Sequence, residues 1–107
     1  MNLPPALEAF DAWLADREQA VPALRSQSAA RFHWVPGPRR KTPLAVVYLH
    51  GFSADPVETS PFSEGLGDAL GANVFMPRLT GHGQDGAAMG AATMDAWLAD
   101  LSLAMAV

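Results

Sequence analysis

Residues 44–49, "LAVVYL", form an unbroken apolar run that stops abruptly at His50-Gly51. Continuous apolarity with β-branched residues suits a parallel strand buried on both faces. Such a strand needs strands beside it and helices over it, so this run commits the chain to an α/β architecture. Phe52 and a small polar loop follow. An abrupt His-Gly turn at the end of a buried strand is a place where a polarised carbonyl can be held. The sequence must then answer what would attack that carbonyl.

The neighbouring elements follow from periodicity. Residues 4–20 are expected to be helical, because Leu7, Phe10, Trp13 and Leu14 recur on one face. Residues 23–30 read as a connector, "RFHWV" (31–35) as a strand, and "PGPRRKTP" (36–43) as a loop. Ser60 can cap a second helix, Pro61 suits its first position, and Phe62, Leu66, Ala69 and Leu70 share its apolar face. Gly71 is placed to end it in the left-handed conformation. "NVFMP" (73–77) is then a short strand, which completes a βαβ unit expected to be right-handed. "RLTGHGQDG" (78–86) is a glycine-punctuated loop, and "AAMGAAT" continues it. Thr93 caps a final helix with Asp95 in its first turn, and Met94, Trp97, Leu98, Leu101 and Met105 form its apolar face. "DAWLAD" occurs at 11–16 and again at 95–100, but the flanks differ and the match is read as coincidence.

Composition excludes several functions. Half the residues are hydrophobic and 17% are charged, so general disorder is ruled out. Eleven acids against seven bases give a net charge of −4, which argues against a nucleic-acid surface. The basic run Arg39-Arg40-Lys41 lies between prolines and reads as an exposed loop. No cysteine is present, which removes disulfides and thiolate metal sites. The N-terminus has acids where a secretory signal has a basic start, and no apolar stretch reaches the ~18 residues of a membrane span. The expectation is a cytoplasmic protein without cofactor or metal.

In an open parallel sheet, ligands bind beyond the carboxyl ends of the strands. Both unusual glycine loops, 50–56 and 79–86, leave from those ends. Gly51 permits a sharp turn that would free the Phe52 amide to face the crevice. An N–H aimed at an oxygen as it gains charge is half of an oxyanion hole, and loss of one such donor costs about 10²–10³ in rate.

"VVYLHGF", "NVFMPRLTGHG" and the helix containing the second "DAWLAD" together resemble the front half of an α/β-hydrolase. The likeness is strongest to the esterase, monoacylglycerol-lipase-like and serine-aminopeptidase-like branch, and it spans about residues 31–107. It implies an α/β fold: the N-terminal part of an α/β-hydrolase sheet, parallel strands with flanking helices, truncated before the nucleophile elbow. Residues 1–28 would form an N-terminal helix and connector, and 29–107 the first half of the hydrolase domain. It also implies that Phe52 donates its backbone amide to the oxyanion hole, that His50 and Gly51 shape the turn, and that Gly81, His82 and Gly83 form the adjoining substrate-crevice loop. Its substrate would be a small-molecule ester, with lipase, esterase and peptidase all open.

The attacker, however, is absent. The family nucleophile lies in a G-x-S-x-G elbow, and none of Ser26, Ser28, Ser53, Ser60, Ser63 and Ser102 has that frame. Triad order in this fold is Ser, then acid, then His, so His33, His50 and His82 all come too early. Nucleophile, acid and base are therefore expected downstream of Val107, and the chain alone is expected to be inactive. The missing central strand would leave its neighbours half paired, so solubility is expected to require an oligomeric partner or the C-terminal remainder of the fold.

Simpler readings compete residue by residue. His50 as a base toward Ser53 lacks a positioned acid. His82 has no second ligand at metal spacing and reads as a loop-stabilising residue, and His33 as an ordinary strand residue. Ser53 and Asp55 more often bond local backbone. "GLGDALG" (65–71) imitates a dinucleotide fingerprint but falls inside a helix. Trp13 and Trp97 read as core packing. An alternative function is a non-enzymatic or split-enzyme half-domain that pairs with another chain. A free-standing nucleotide-binding domain fails for want of a phosphate loop.

Overall fold

The central strand organises the molecule. The computed structural model describes residues 3, 6–25, 28–51, 56 and 61–107. A 3-10 turn at Leu7–Ala9 leads into α1 (Phe10–Gln19), followed by β1 (Arg31–His33), β2 (Ala45–Val47), α2 (Phe62–Leu70), β3 (Asn73–Met76), α3 (Gly86–Ala91) and α4 (Met94–Ala106). The sheet order is β1-β3-β2. β2 runs parallel to β3 with Val46 opposite Val74, as a βαβ unit requires. The Tyr48 N–H extends this pairing to the Phe75 carbonyl at 3.1 Å.

Alternation along β3 divides the structure into layers. Phe75 faces α1 and α4, where it joins Leu14 and Ala104 in the core, with Trp13, Phe32 and Val47 packed around them. Phe32 stacks on Phe75 at 4.7 Å, and Phe10 lies 5.9 Å from Phe32. Each such side chain contributes about 1.5–3 kcal/mol through burial. Val74 and Met76, fully buried, face α2 instead. The contact there is made by small residues: the Ser63 hydroxyl donates to the Met76 sulfur at 3.1 Å, and Gly67 lies directly on Val74. Asn73 secures the 36–43 loop, accepting from the Val35 N–H and donating to the Arg40 carbonyl.

Helix signals at the termini agree with these elements. Gly71 ends α2 at φ 63°, and its neighbour Ala72 donates back to Gly67 O. The Thr93 side chain accepts from the Ala96 N–H at the start of α4. Pro61 occupies the cap position immediately before α2 instead of its first turn. The Ser60 cap and residues 4–5 of the expected first helix lie outside the described residues.

Other expectations require correction. β1 is antiparallel to β3, so the sheet is mixed and not wholly parallel. The 44–49 run is not buried on both faces: β2 pairs with β3 on one side, no strand among the described residues pairs with the other, and Leu44 and Leu49 are exposed. "AAMGAAT" is not loop throughout, because Asp85 caps the Ala88 N–H and starts α3. Both predicted apolar helix faces are inward only in part: Leu66 of α2 and Trp97 and Leu101 of α4 are half-buried, and the rest is exposed. In α2 the buried residues are Ser63 and Gly67, which leaves Phe62 63% exposed and Leu70 exposed. In α4 the buried residue is Ala104, which leaves Met94, Leu98 and Met105 exposed. Close approach of a helix to a sheet favours small side chains at the contact, and here that geometry outweighs the hydrophobic stripe.

A Cβ at Gly67 would fall 2.3 Å from Val74 Cγ2 and 3.0 Å from the Ala72 carbonyl, whereas one at Gly65 would meet open space. Gly67→Ala is therefore expected to lower stability by about 1–3 kcal/mol through overpacking. Gly65→Ala is expected to raise it by about 0.5–1 kcal/mol through helix propensity. Denaturant midpoints of the two variants, measured side by side, check both signs.

Candidate functional site

Because β2 and β3 are parallel, the loops that follow them emerge from the same end of the sheet. They are joined by one side chain. His50 is buried, and its Nε2 accepts the Leu79 N–H at 3.0 Å. The proton of the neutral ring must then sit on Nδ1, which lies 2.9 Å from the Gly51 carbonyl and donates to it. His50 thus holds the carbonyl of the turn residue with one nitrogen and the neighbouring loop with the other.

The 78–83 loop is narrowly defined. The His82 N–H closes a turn on the Leu79 carbonyl at 3.0 Å. Gly81 and Gly83 have φ of 86° and 76°, values that side-chain-bearing residues rarely adopt. A Cβ at Gly81 would lie 2.8 Å from the Ala88 carbonyl, and one at Gly83 would lie 2.7 Å from Ser28 Cβ. His82 is buried between His50 and Trp97, with ring centroids 4.6 and 5.8 Å away. Of the sequence candidates, His50, Gly51, Gly81, His82 and Gly83 therefore come together at one end of the sheet. Phe52, Ser53 and Asp55 lie outside the described residues.

Two further groups brace this loop and escaped the sequence reading. From α4, Asp100 Oδ2 accepts both the Thr80 N–H at 2.6 Å and the Thr80 hydroxyl at 2.7 Å. Trp97 Nε1 donates to the Thr80 carbonyl at 2.8 Å. Trp97 is thus a loop clamp, not the core residue expected. The signal that could have found it is the i, i+3 spacing of Trp97 and Asp100, which sets both on one helix face. The other "DAWLAD" copy meets different partners: Asp11 accepts from Trp34 and Arg39, and Trp13 packs on the core. From α1, Glu18 pairs with Arg78 at 2.8 Å.

The larger concavity lies elsewhere. A groove of about 400 Å³ runs over the sheet face between α1, β2 and the end of α4, lined by residues that include Leu7, Phe32, Val46, Phe75 and Val107. Its walls are mostly apolar, with Lys41, Thr42 and Asn73 among them, and hold none of the 78–83 loop residues. Among the described residues, no cluster of three or more His, Asp or Glu could hold a metal ion. No described helix is long and apolar enough to cross a membrane.

The sequence matches no protein-family model, and no curated protein matches it. Among solved structures, the chain is similar to one from the pair LipS and LipT, two metagenome-derived lipolytic enzymes, with a TM-score of 0.65 and 30% sequence identity. The match covers 78% of this chain and 31% of that one. The likeness supports a hydrolase-like fold for the mixed α/β structure.

The geometry at His50 is open to direct measurement. Two-bond ¹H–¹⁵N correlations are expected to show His50 as the neutral Nδ1–H tautomer; an Nε2–H pattern would contradict the bond from Leu79. His50→Ala leaves the Leu79 N–H without its acceptor and is expected to cost about 1–3 kcal/mol.

Proposed function

We propose that these residues form the front part of a carboxylic ester hydrolase of esterase or lipase character, working through a serine acyl-enzyme. The observation that carries this reading is the junction of the two strand-end loops through His50, in a chain 30% identical to a lipolytic enzyme. Residues 29–107 would belong to the hydrolase domain, with 1–28 as its N-terminal helix and connector. The chain spans about a third of the lipolytic enzyme's length, 31%.

In this reading the Phe52 amide stabilises the oxyanion of the tetrahedral intermediate. The Gly51 carbonyl and that N–H belong to one planar peptide unit. A hydrogen bond that holds the carbonyl, as His50 makes, therefore bears on the direction of the donor. Gly81, His82 and Gly83 would wall the substrate crevice. No serine here has the elbow frame, so nucleophile, acid and base would come from residues other than these 107. In the alternative form of this reading a separate chain supplies them, pairing with the edge of β2 that no described strand occupies.

A fluorophosphonate probe followed by intact-mass analysis of the native protein tests the proposal. No adduct is expected on a chain of 11.3 kDa. An adduct on a heavier chain containing these residues supports a single-chain hydrolase, and an adduct on a bound partner supports the split form. An adduct on the 11.3 kDa chain itself would overturn the reading and direct attention to Ser53. In the active assembly, Phe52→Pro removes the backbone donor and is expected to lower kcat by about 10²–10³ with little change in KM.

A further inference from the structure

Arg78 occupies an unusual position for a cation at a loop base. Its side chain is 8% exposed and its partner Glu18 is 12% exposed. Its Nε donates to Glu18 Oε2 at 2.8 Å, while Nη1 reaches the His82 carbonyl at 3.1 Å and the Leu79 carbonyl at 3.4 Å. One face of the guanidinium therefore belongs to α1 and the other to the glycine loop. Leu79 O also accepts the His82 N–H, and the Leu79 N–H goes to His50. Arg78 thus sits at the mouth of the turn that carries both.

As a stability device the pair is poorly suited. Desolvation of two ions offsets much of their attraction, and apolar replacements are often as stable. What an apolar pair cannot reproduce is directional donation to two carbonyls. Lysine cannot reproduce it well either, because a compact ammonium lacks the planar fork.

We infer that Glu18 and Arg78 are positioning residues, through which the N-terminal helix sets the geometry of the 78–83 loop. The loop's role as a crevice wall rests on the hydrolase reading, but the mechanical coupling does not. The N-terminal helix is on this account part of the site and not an appendage to it. Glu18 orients the guanidinium, and the guanidinium holds the Leu79 and His82 carbonyls. Through Leu79 the restraint passes to His50 and so to Gly51.

The test is peptide-level hydrogen–deuterium exchange on the full 107-residue chain, with β3 as internal reference. Arg78→Lys preserves the charge pair but not the bridge. The charge-swapped chain, Glu18→Arg with Arg78→Glu, restores an ion pair yet sets carboxylate acceptors against the two loop carbonyls. In both, exchange of the 78–83 amides is expected to rise by about tenfold or more, the equivalent of losing one charge-assisted hydrogen bond, while β3 stays protected. If the swap restores loop protection, the pair is only a structural ion pair and the inference is wrong. Equal loss in the loop and β3 would show global destabilisation and overturn it as well. So would a wild-type loop with no protection. No outcome depends on ester hydrolysis, so failure here is distinct from failure of the proposed activity.

Discussion

The two-sided burial of β3 is the constraint on which the rest depends. The strand pairs with β1 on one side and β2 on the other, Val74 and Phe75 with both, and it faces helices above and below. Val74 and Met76 are met by the small face of α2, and Phe75 by the aromatic and aliphatic side chains of α1, β1 and α4. Because β2 is parallel to β3, this central placement also determines that their following loops share one end. The site is a consequence of strand direction before it is a consequence of any residue in the loops.

How much of this was legible depends on whether the signal was local. Gly71 and Thr93 were readable because cap geometry involves only adjacent residues. The β2–α2–β3 order was readable because apolar runs, a proline and a glycine punctuate it. The antiparallel sense of β1 was not, since a three-residue strand with poor alternation carries no directional information. α3 was missed because alanine and glycine give no periodicity, and its one signal, Asp85 as cap, stood within a glycine-rich loop. The helix faces failed for a different reason. Hydrophobic periodicity finds the most apolar stripe, but a helix seated closely on Val74 and Met76 needs its smallest stripe inward.

Of the candidate site, the glycines and histidines could be named from the sequence because their types are rare and their spacing is distinctive. Their braces could not. Glu18 and Arg78 are 60 residues apart, and Asp100 reaches Thr80 across 20. For Glu18 no neighbouring residue marks it as a loop partner, and for Asp100 the one local signal is its i, i+3 spacing from Trp97. Charged residues on amphipathic helices usually face solvent, so the sequence singles out neither acid.

The loop has little regular structure, yet side chains and amides bind it on every side: Arg78 below, Trp97 and Asp100 from α4, His50 from the neighbouring turn, and the Arg25 N–H on Gly83. Among the described residues no buried side-chain nitrogen or oxygen lacks a partner. Buried polar networks rigidify a structure when every member is satisfied and weaken it when one is not. A loop that must present a fixed carbonyl turn at a strand end cannot draw rigidity from a backbone ladder, because the ladder ends there. It draws rigidity from side chains on three different elements instead. The His50 ring, fixed as a single tautomer between Leu79 and Gly51, is where those restraints reach the turn that the proposed chemistry would use.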